Sequence, residues 1–148
     1  MPKIQVGEVN LNYDVAGKGE PLLMIMGLGA SSAAWDPELI TELARTFRVI
    51  TFDNRGTGQS DKPDAPYSIE MFADDAAGVL TKLDVQRAHI FGVSMGGMIT
   101  QEFGLRPQRE PRRSRSDARP PAGSIRYRRR PNRSRFSRRR ARASRRRK

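Results

Sequence analysis

Residues 87–104 read RAHIFGVSMGGMITQEFG. A short apolar run, roughly Arg87 to Gly92, predicts a strand, and the segment from Met95 onward predicts a helix. Between them stands Gly92-Val93-Ser94-Met95-Gly96, a G-x-S-x-G pattern. Five residues of this kind are common by themselves, and a plain Gly-Ser turn would satisfy them. The flanking strand and helix give the pattern its meaning. A strand that runs directly into a helix forces a tight turn with the serine at its apex in strained backbone geometry. Glycines must flank it, because side chains there would strike the strand and the helix. The turn lifts the Ser94 hydroxyl above the carboxyl ends of the strands, where open α/β sheets place their ligands. The amides at the start of the helix point at the same spot and favour a developing negative charge.

Toward the N-terminus the pattern is one of alternating elements. Ile4, Val6, Val9, Leu11, Tyr13 and Val15 recur at period two around Gly7-Glu8, which predicts a β-hairpin. Gly17-Lys18-Gly19 is a turn, and the continuous apolar run Leu22 to Met26 suits a strand covered on both faces. Asp36 is a candidate cap for a helix with Pro37 at its first position, Trp35 stapled onto Ile40, and a face of Leu39, Ile40, Leu43 and Ala44. A strand follows over Phe47 to Asp53. Ser68 then caps a helix with a stripe of Ile69, Phe72, Ala73, Ala76, Leu80 and Leu83. Strands alternating with helices imply a parallel sheet with helices on both faces, as three β-α units after the hairpin. Asp53, Arg55 and Asp61 read as braces of a glycine-rich loop. Trp35 reads as a staple or pocket wall. Met24, Met26, Met95 and Met98 read mainly as core, with Met95 also a candidate cavity lining.

Three landmarks then fall into one order: MGLGAS after the first long buried strand, DNRGTGQSDKP after the next, and HIFGVSMGGMITQEFGLRP around the serine. Over about residues 3 to 107 the chain resembles the N-terminal part of an α/β-hydrolase fold protein. It is similar to the group of single-domain esterases, enol-lactonases and cofactor-free haloperoxidases. The resemblance implies Ser94 as the nucleophile that forms an acyl-enzyme, with no cofactor and no metal. It implies the backbone amides of Met95 and Leu28 as oxyanion donors. Leu28 follows Met26-Gly27, where the family has His-Gly; the change leaves the backbone role intact because the amide does the binding. Gly92 and Gly96 are the glycines of the turn. A serine here also counts against the dehalogenase and epoxide-hydrolase branches, which use a carboxylate.

A serine nucleophile needs a base and an orienting carboxylate. The family order is Ser, then Asp or Glu, then His. The sequence has one histidine, His89, which precedes Ser94 inside the predicted strand. No catalytic histidine and no catalytic acid are assigned. After Glu102 the remaining carboxylates are Glu110 and Asp117, neither at the end of a recognisable strand.

Charge divides the chain. Residues 1–104 carry 8 Lys+Arg against 14 Asp+Glu, a net of −6, whereas residues 105–148 carry 20 against 2, a net of +18. Of those last 44 residues 19 are Arg, so the overall +12 belongs to no uniform basic fold. The expectation is a partial α/β-hydrolase domain over 1–107 followed by a disordered basic tail over 108–148. Arg, Pro, Ser and Ala are what GC-rich DNA encodes out of frame, which points to a reading-frame shift near residue 108. The alternative is an evolved arm that binds nucleic acid or another polyanion through phosphate contacts. With truncation after the serine turn, the strand leading to Ser94 is expected at a sheet edge.

The absence of cysteine excludes disulfides, thiolate metal sites and a cysteine nucleophile. No stretch approaches the length of a membrane span, and the N-terminus lacks the apolar core of a signal peptide, so a cytoplasmic chain is expected. The expected substrate is a small ester or lactone, the expected activity near background for want of a base, and nonspecific nucleic-acid binding by the tail is the expected side effect of its charge.

Overall fold

The opening alternation becomes a hairpin in the computed structural model, which describes residues 2–105. Strand β1 (Lys3–Val6) pairs antiparallel with β2 (Val9–Ala16), with Val6 opposite Val9 across the Gly7-Glu8 turn. Gly7 takes the left-handed backbone that such a turn requires, at φ +55°. The expected basic tail 108–148, with Glu110 and Asp117, lies outside the described residues.

Three β-α units follow: β3 (Glu20–Ile25) with α1 (Pro37–Leu43), β4 (Phe47–Phe52) with α2 (Ile69–Lys82), and β5 (His89–Gly92) with α3 (Met95–Leu105). A short 3₁₀ turn at Ser32–Ala34 precedes α1. The sheet order is β1-β2-β4-β3-β5, with β3 parallel to both β4 and β5 and β2 antiparallel to β4. The expected parallel α/β sheet is thus parallel in its last three strands and mixed where the hairpin joins. Among the described residues β5 forms the edge opposite β1.

Alternation along the strands separates two apolar layers. Leu23, Ile25, Ile50 and Phe52 face α2 and α3, and pack with Phe72, Ala76, Val79 and Ile99. Leu22, Met24 and Val49 face the other way, against Trp35, Ile40 and Leu43. Right-handed crossovers account for this split. From β3 the chain steps one way to β4, then reverses past β3 to reach β5, so α1 and α2 must cross on opposite faces.

Both helix starts form by the local chemistry of their caps. The Asp36 carboxylate accepts from the Glu38 amide at 2.8 Å with Pro37 at the first position, and the Ser68 hydroxyl accepts from the Met71 amide at 3.2 Å. Two side chains depart from expectation. Leu39, placed on the buried face of α1, is 41% exposed, because this helix of seven residues packs only through Ile40 and Leu43. Met98, read as core, is 53% exposed on the outer side of α3, whereas Met24, Met26 and Met95 are buried.

Candidate active site

The reversal of chain direction at β3 sets the place of the site. The loop leaving β3 turns toward α1 and the loop leaving β5 turns toward α3, on opposite faces. The crevice between two such diverging loops, at the carboxyl ends of the strands, is the topological switch point of an open α/β sheet. Residues from both loops meet there.

Ser94 lies at the end of β5 with φ +55°, one of two described non-glycine residues in the left-handed region. That conformation costs an L-residue about 1–2 kcal/mol. The surroundings over-determine it. The Val93 amide donates to the Ile25 carbonyl at 3.1 Å, extending the β3–β5 ladder to the serine. On the other side, the Gly96 and Gly97 amides donate to the Val93 and Ser94 carbonyls at 2.9 and 2.8 Å, so the helix begins at once.

Close approach explains the glycines. A Cβ on Gly92 would lie 2.1 Å from the Gly96 carbonyl oxygen, and one on Gly96 would lie 2.1 Å from that of Ile25. Gly27, the first loop residue beyond Met26, backs onto the serine; a Cβ there would sit 3.2 Å from Ser94 Cβ and 3.7 Å from its Oγ. The loop carrying Leu28 and the turn carrying Ser94 are therefore in contact, 67 residues apart in sequence. Ser94 is exposed and Met95 buried, while the Leu28 side chain is 80% exposed. Trp35 is buried with Met24 and Met26, its ring 5.9 Å from that of Phe91.

His89 sits at the opposite end of β5. It pairs in register with Leu22, its Nε2 lies 3.1 Å from Glu20 Oε2, and its ring meets Phe47 edge-on at 5.6 Å. Five residues of strand at about 3.3 Å each put it about 16 Å from Ser94 along the chain. No imidazole or carboxylate among the described residues hydrogen-bonds to the Ser94 hydroxyl.

The loop after β4 carries a polar network whose detail the sequence did not disclose. Asp53 is 2% exposed, and both carboxylate oxygens are saturated. Oδ1 accepts from the Ser32 amide and hydroxyl, each at 2.7 Å, and Oδ2 accepts from Asn12 Nδ2 and the Gln59 amide, each at 2.9 Å. Burial alone would raise its pKa; the bonds from Gln59, Ser32 and Asn12 outweigh burial and hold it below the ordinary aspartate value. Asn54, fully buried, donates from Nδ2 to the Met26 carbonyl at 3.1 Å. Arg55 makes a two-pronged pair with the buried Asp75, both distances 2.6 Å, which raises the guanidinium pKa against the opposing effect of burial. Asp61 accepts from the Asn10 amide at 2.7 Å and from its side chain at 2.9 Å, bonds that lower its pKa. An open groove of about 800 Å³ between the hairpin turn and α2, lined by Arg55, Asp61, Tyr67 and Asp75, contains none of the residues at the Ser94 turn.

Comparison with known proteins gives one consistent answer. The family model described as alpha/beta hydrolase fold matches residues 20–113. A Synechocystis sp. protein, provisionally named a non-heme chloroperoxidase, is 36% identical over 110 residues, covering 70% of this chain and 40% of its own. A protein of Azorhizobium caulinodans, provisionally named the carbamate hydrolase RutD, is 38% identical over 105 residues, covering 71% of this chain and 39% of its own. Among solved structures, the enol-lactonase of Burkholderia xenovorans LB400 superposes with a TM-score of 0.64 at 32% identity, covering 66% of this chain and 39% of its own. The chain thus spans about two-fifths of the length of the relatives it matches. No helix among the described residues is long and apolar enough to cross a membrane.

Proposed function

The chain belongs to the alpha/beta hydrolase fold family, and we propose that it descends from a serine hydrolase of small carboxylic esters or lactones. The observation that carries this reading is Ser94 at φ +55° on the strand–helix junction, with Gly27 of the neighbouring loop against it. In this reading Ser94 Oγ attacks the substrate carbonyl, the proton it gives up passes to the departing alkoxide oxygen as the ester C–O bond breaks, and water later hydrolyses the acyl–Ser94 ester to free acid and serine. The amides of Leu28 and Met95 hold the oxyanion, each worth about 2.7–4 kcal/mol in the transition state. The enol-lactonase among the similar structures supports an acyl substrate, as does the name of the carbamate hydrolase relative.

The base is the missing part. His89, the only histidine of the 148 residues, lies at the far end of β5. Loss of the base alone lowers turnover in serine hydrolases by about 10⁶. The 148-residue chain is therefore expected to hydrolyse p-nitrophenyl acetate no faster than its Ser94→Ala variant. Ser94-dependent turnover would overturn the inactive reading. We further infer that residues 108–148 arise from a reading-frame shift. Sequencing across codon 108 tests it, and an uninterrupted frame in the transcript refutes it. A protein made in the corrected frame should show ester or lactone turnover that Ser94→Ala abolishes; a corrected protein whose turnover is indifferent to Ser94 would sink the hydrolase reading.

One observation favours a second reading, polyanion binding: the net +18 over residues 105–148. It requires nucleic-acid binding that weakens steeply with salt and disappears on deletion of residues 108–148.

A further inference from the structure

The loop that presents the Leu28 amide does little to hold itself. Its described internal backbone bond between residues 27 and 30 is a long one, Ala30 amide to Gly27 carbonyl at 3.4 Å, and Gly29 adopts φ +72°. Leu28, with its side chain 80% exposed, gains no anchor from packing. The restraint comes from outside, at both ends. At the near end Asn54 Nδ2 donates to the Met26 carbonyl at 3.1 Å. At the far end Asp53 Oδ1 accepts from both the amide and the hydroxyl of Ser32 at 2.7 Å. Both clamping side chains are buried and come from consecutive residues at the carboxyl end of β4, the strand beside β3. Asp53 is itself fixed by Asn12 and Gln59 through its other oxygen. The 53–61 turn also backs closely onto the loop: a Cβ on Gly58 would lie 2.1 Å from Asp53 Oδ2 and 2.8 Å from Ser31 Cβ.

We propose that Asp53 and Asn54 are positioning residues that clamp the two ends of the Met26–Ser32 loop and thereby fix the Leu28 amide beside Ser94. The inference rests on the hydrolase reading of Ser94 for its purpose, but not for its test. An oxyanion donor acts only when held within about 0.5 Å of its working position. An exposed leucine on a loop with one weak internal bond does not meet that requirement unaided. The clamp also accounts for the buried charge: Asp53 has no lone pair left for a catalytic proton, and half of its accepting capacity is spent on Ser32.

The test uses the full 148-residue chain labelled with ¹⁵N-leucine, with the Leu28 signal assigned by its loss in Leu28→Met. Backbone order parameters are read for Leu28 and, as internal controls, for Leu11, Leu23 and Leu80. In the unaltered chain all four are expected near about 0.85, the value of rigid backbone. In Asn54→Ala, Leu28 falls below about 0.6 while the three core leucines stay near about 0.85. Ser32→Ala deletes one hydroxyl and leaves the amide bond, so it folds, and Leu28 falls part of the way, to between about 0.6 and 0.8. If Asn54→Ala does not fold, Ser32→Ala decides alone. The proposal is overturned if Leu28 stays near about 0.85 in the folded variants, or if the core leucines lose order with it. No substrate enters the measurement, so failure of the hydrolase reading in an esterase assay is separable from failure of the clamp.

Discussion

Gly96 and Gly97 are adjacent on one helix, and replacing each by alanine should change stability in opposite directions. Helix propensity favours alanine over glycine by about 1 kcal/mol in both cases. Space separates them. A Cβ on Gly97 meets only the Gly92 carbonyl oxygen, at 3.6 Å, an ordinary contact, so Gly97→Ala should gain about 0.5–1 kcal/mol. A Cβ on Gly96 would stand 2.1 Å from the Ile25 oxygen, 2.8 Å from the Ile25 carbonyl carbon and 3.0 Å from the Met26 oxygen. These are backbone atoms at and just beyond the end of β3, which no rotamer change can move. Carbon and carbonyl oxygen settle at about 3.3–3.6 Å at best, so α3 must withdraw by roughly 1 Å and loosen Met95 and Ile99 in the core. Overpacking of this kind costs about 1–3 kcal/mol, occasionally more; a 2.1 Å approach to fixed backbone takes the upper end, about 3 kcal/mol, and the propensity gain of about 1 kcal/mol leaves Gly96→Ala a net loss of about 2 kcal/mol. Urea unfolding followed by the emission of Trp35, the only tryptophan, measures both variants. With a slope of about 1.5 kcal/mol/M, the two midpoints should differ by close to about 2 M. A Gly96→Ala midpoint at or above that of the unaltered chain, or both variants moving the same way, would refute the close-approach account of this turn.

Two further outcomes follow from named groups. Asp53 has a folded-state pKa below its ordinary value of 3.8, so its contribution is fully present above that value and drains away as pH falls through it toward the folded value. Asp53→Asn also sets an amide group against donors from Asn12 or Ser32, costing about 1–3 kcal/mol at neutral pH. The stability gap between Asp53→Asn and the unaltered chain should therefore narrow between pH 6 and pH 3, by urea titration at each pH; a gap that is constant or widens contradicts the network. Ser94→Gly should unfold at higher urea than Ser94→Ala by about 1 kcal/mol, because glycine carries no penalty in the left-handed region; equal midpoints would mean that the turn stores no strain.

The legible parts of this fold are those whose physics is local. Asp36 and Ser68 cap their helices through amides two and three residues away. The hairpin register follows from period two around Gly7, and the glycines about Ser94 betray a crowded turn within five residues. What stayed illegible depends on partners far along the chain. Asp75 lies outside the apolar stripe expected for α2, yet it is buried against Arg55, 20 residues earlier, which pairs with it. Ser32 and Asn12 carry no sign of their bonds to Asp53, which span 21 and 41 residues. Leu39 falls outside the buried stripe because a seven-residue helix needs only a narrow one, and helical periodicity does not say where that stripe ends.

The same connectivity that creates the crevice limits which groups can work in it. Side chains reach the switch point from the carboxyl ends of β3, β4 and β5, since β1 and β2 belong to the hairpin on the far side of β4. The end of β3 supplies Gly27 and the Leu28 amide, and the end of β5 supplies Ser94 and the Met95 amide. The end of β4 supplies a carboxylate, Asp53, which by position is the one candidate acid there. Its four accepted bonds exclude it: an aspartate that orients a catalytic histidine must present a free lone pair to an imidazole N–H, and Asp53 has given all four to Ser32, Asn12 and Gln59. On the hydrolase reading proposed above, the described residues would supply a nucleophile, its turn and two anion-binding amides, while the Asp53 carboxylate stays committed to Ser32, Asn12 and Gln59. On the open side of β5, beyond that nucleophile turn, Phe91 and Val93 lie 47% and 40% exposed.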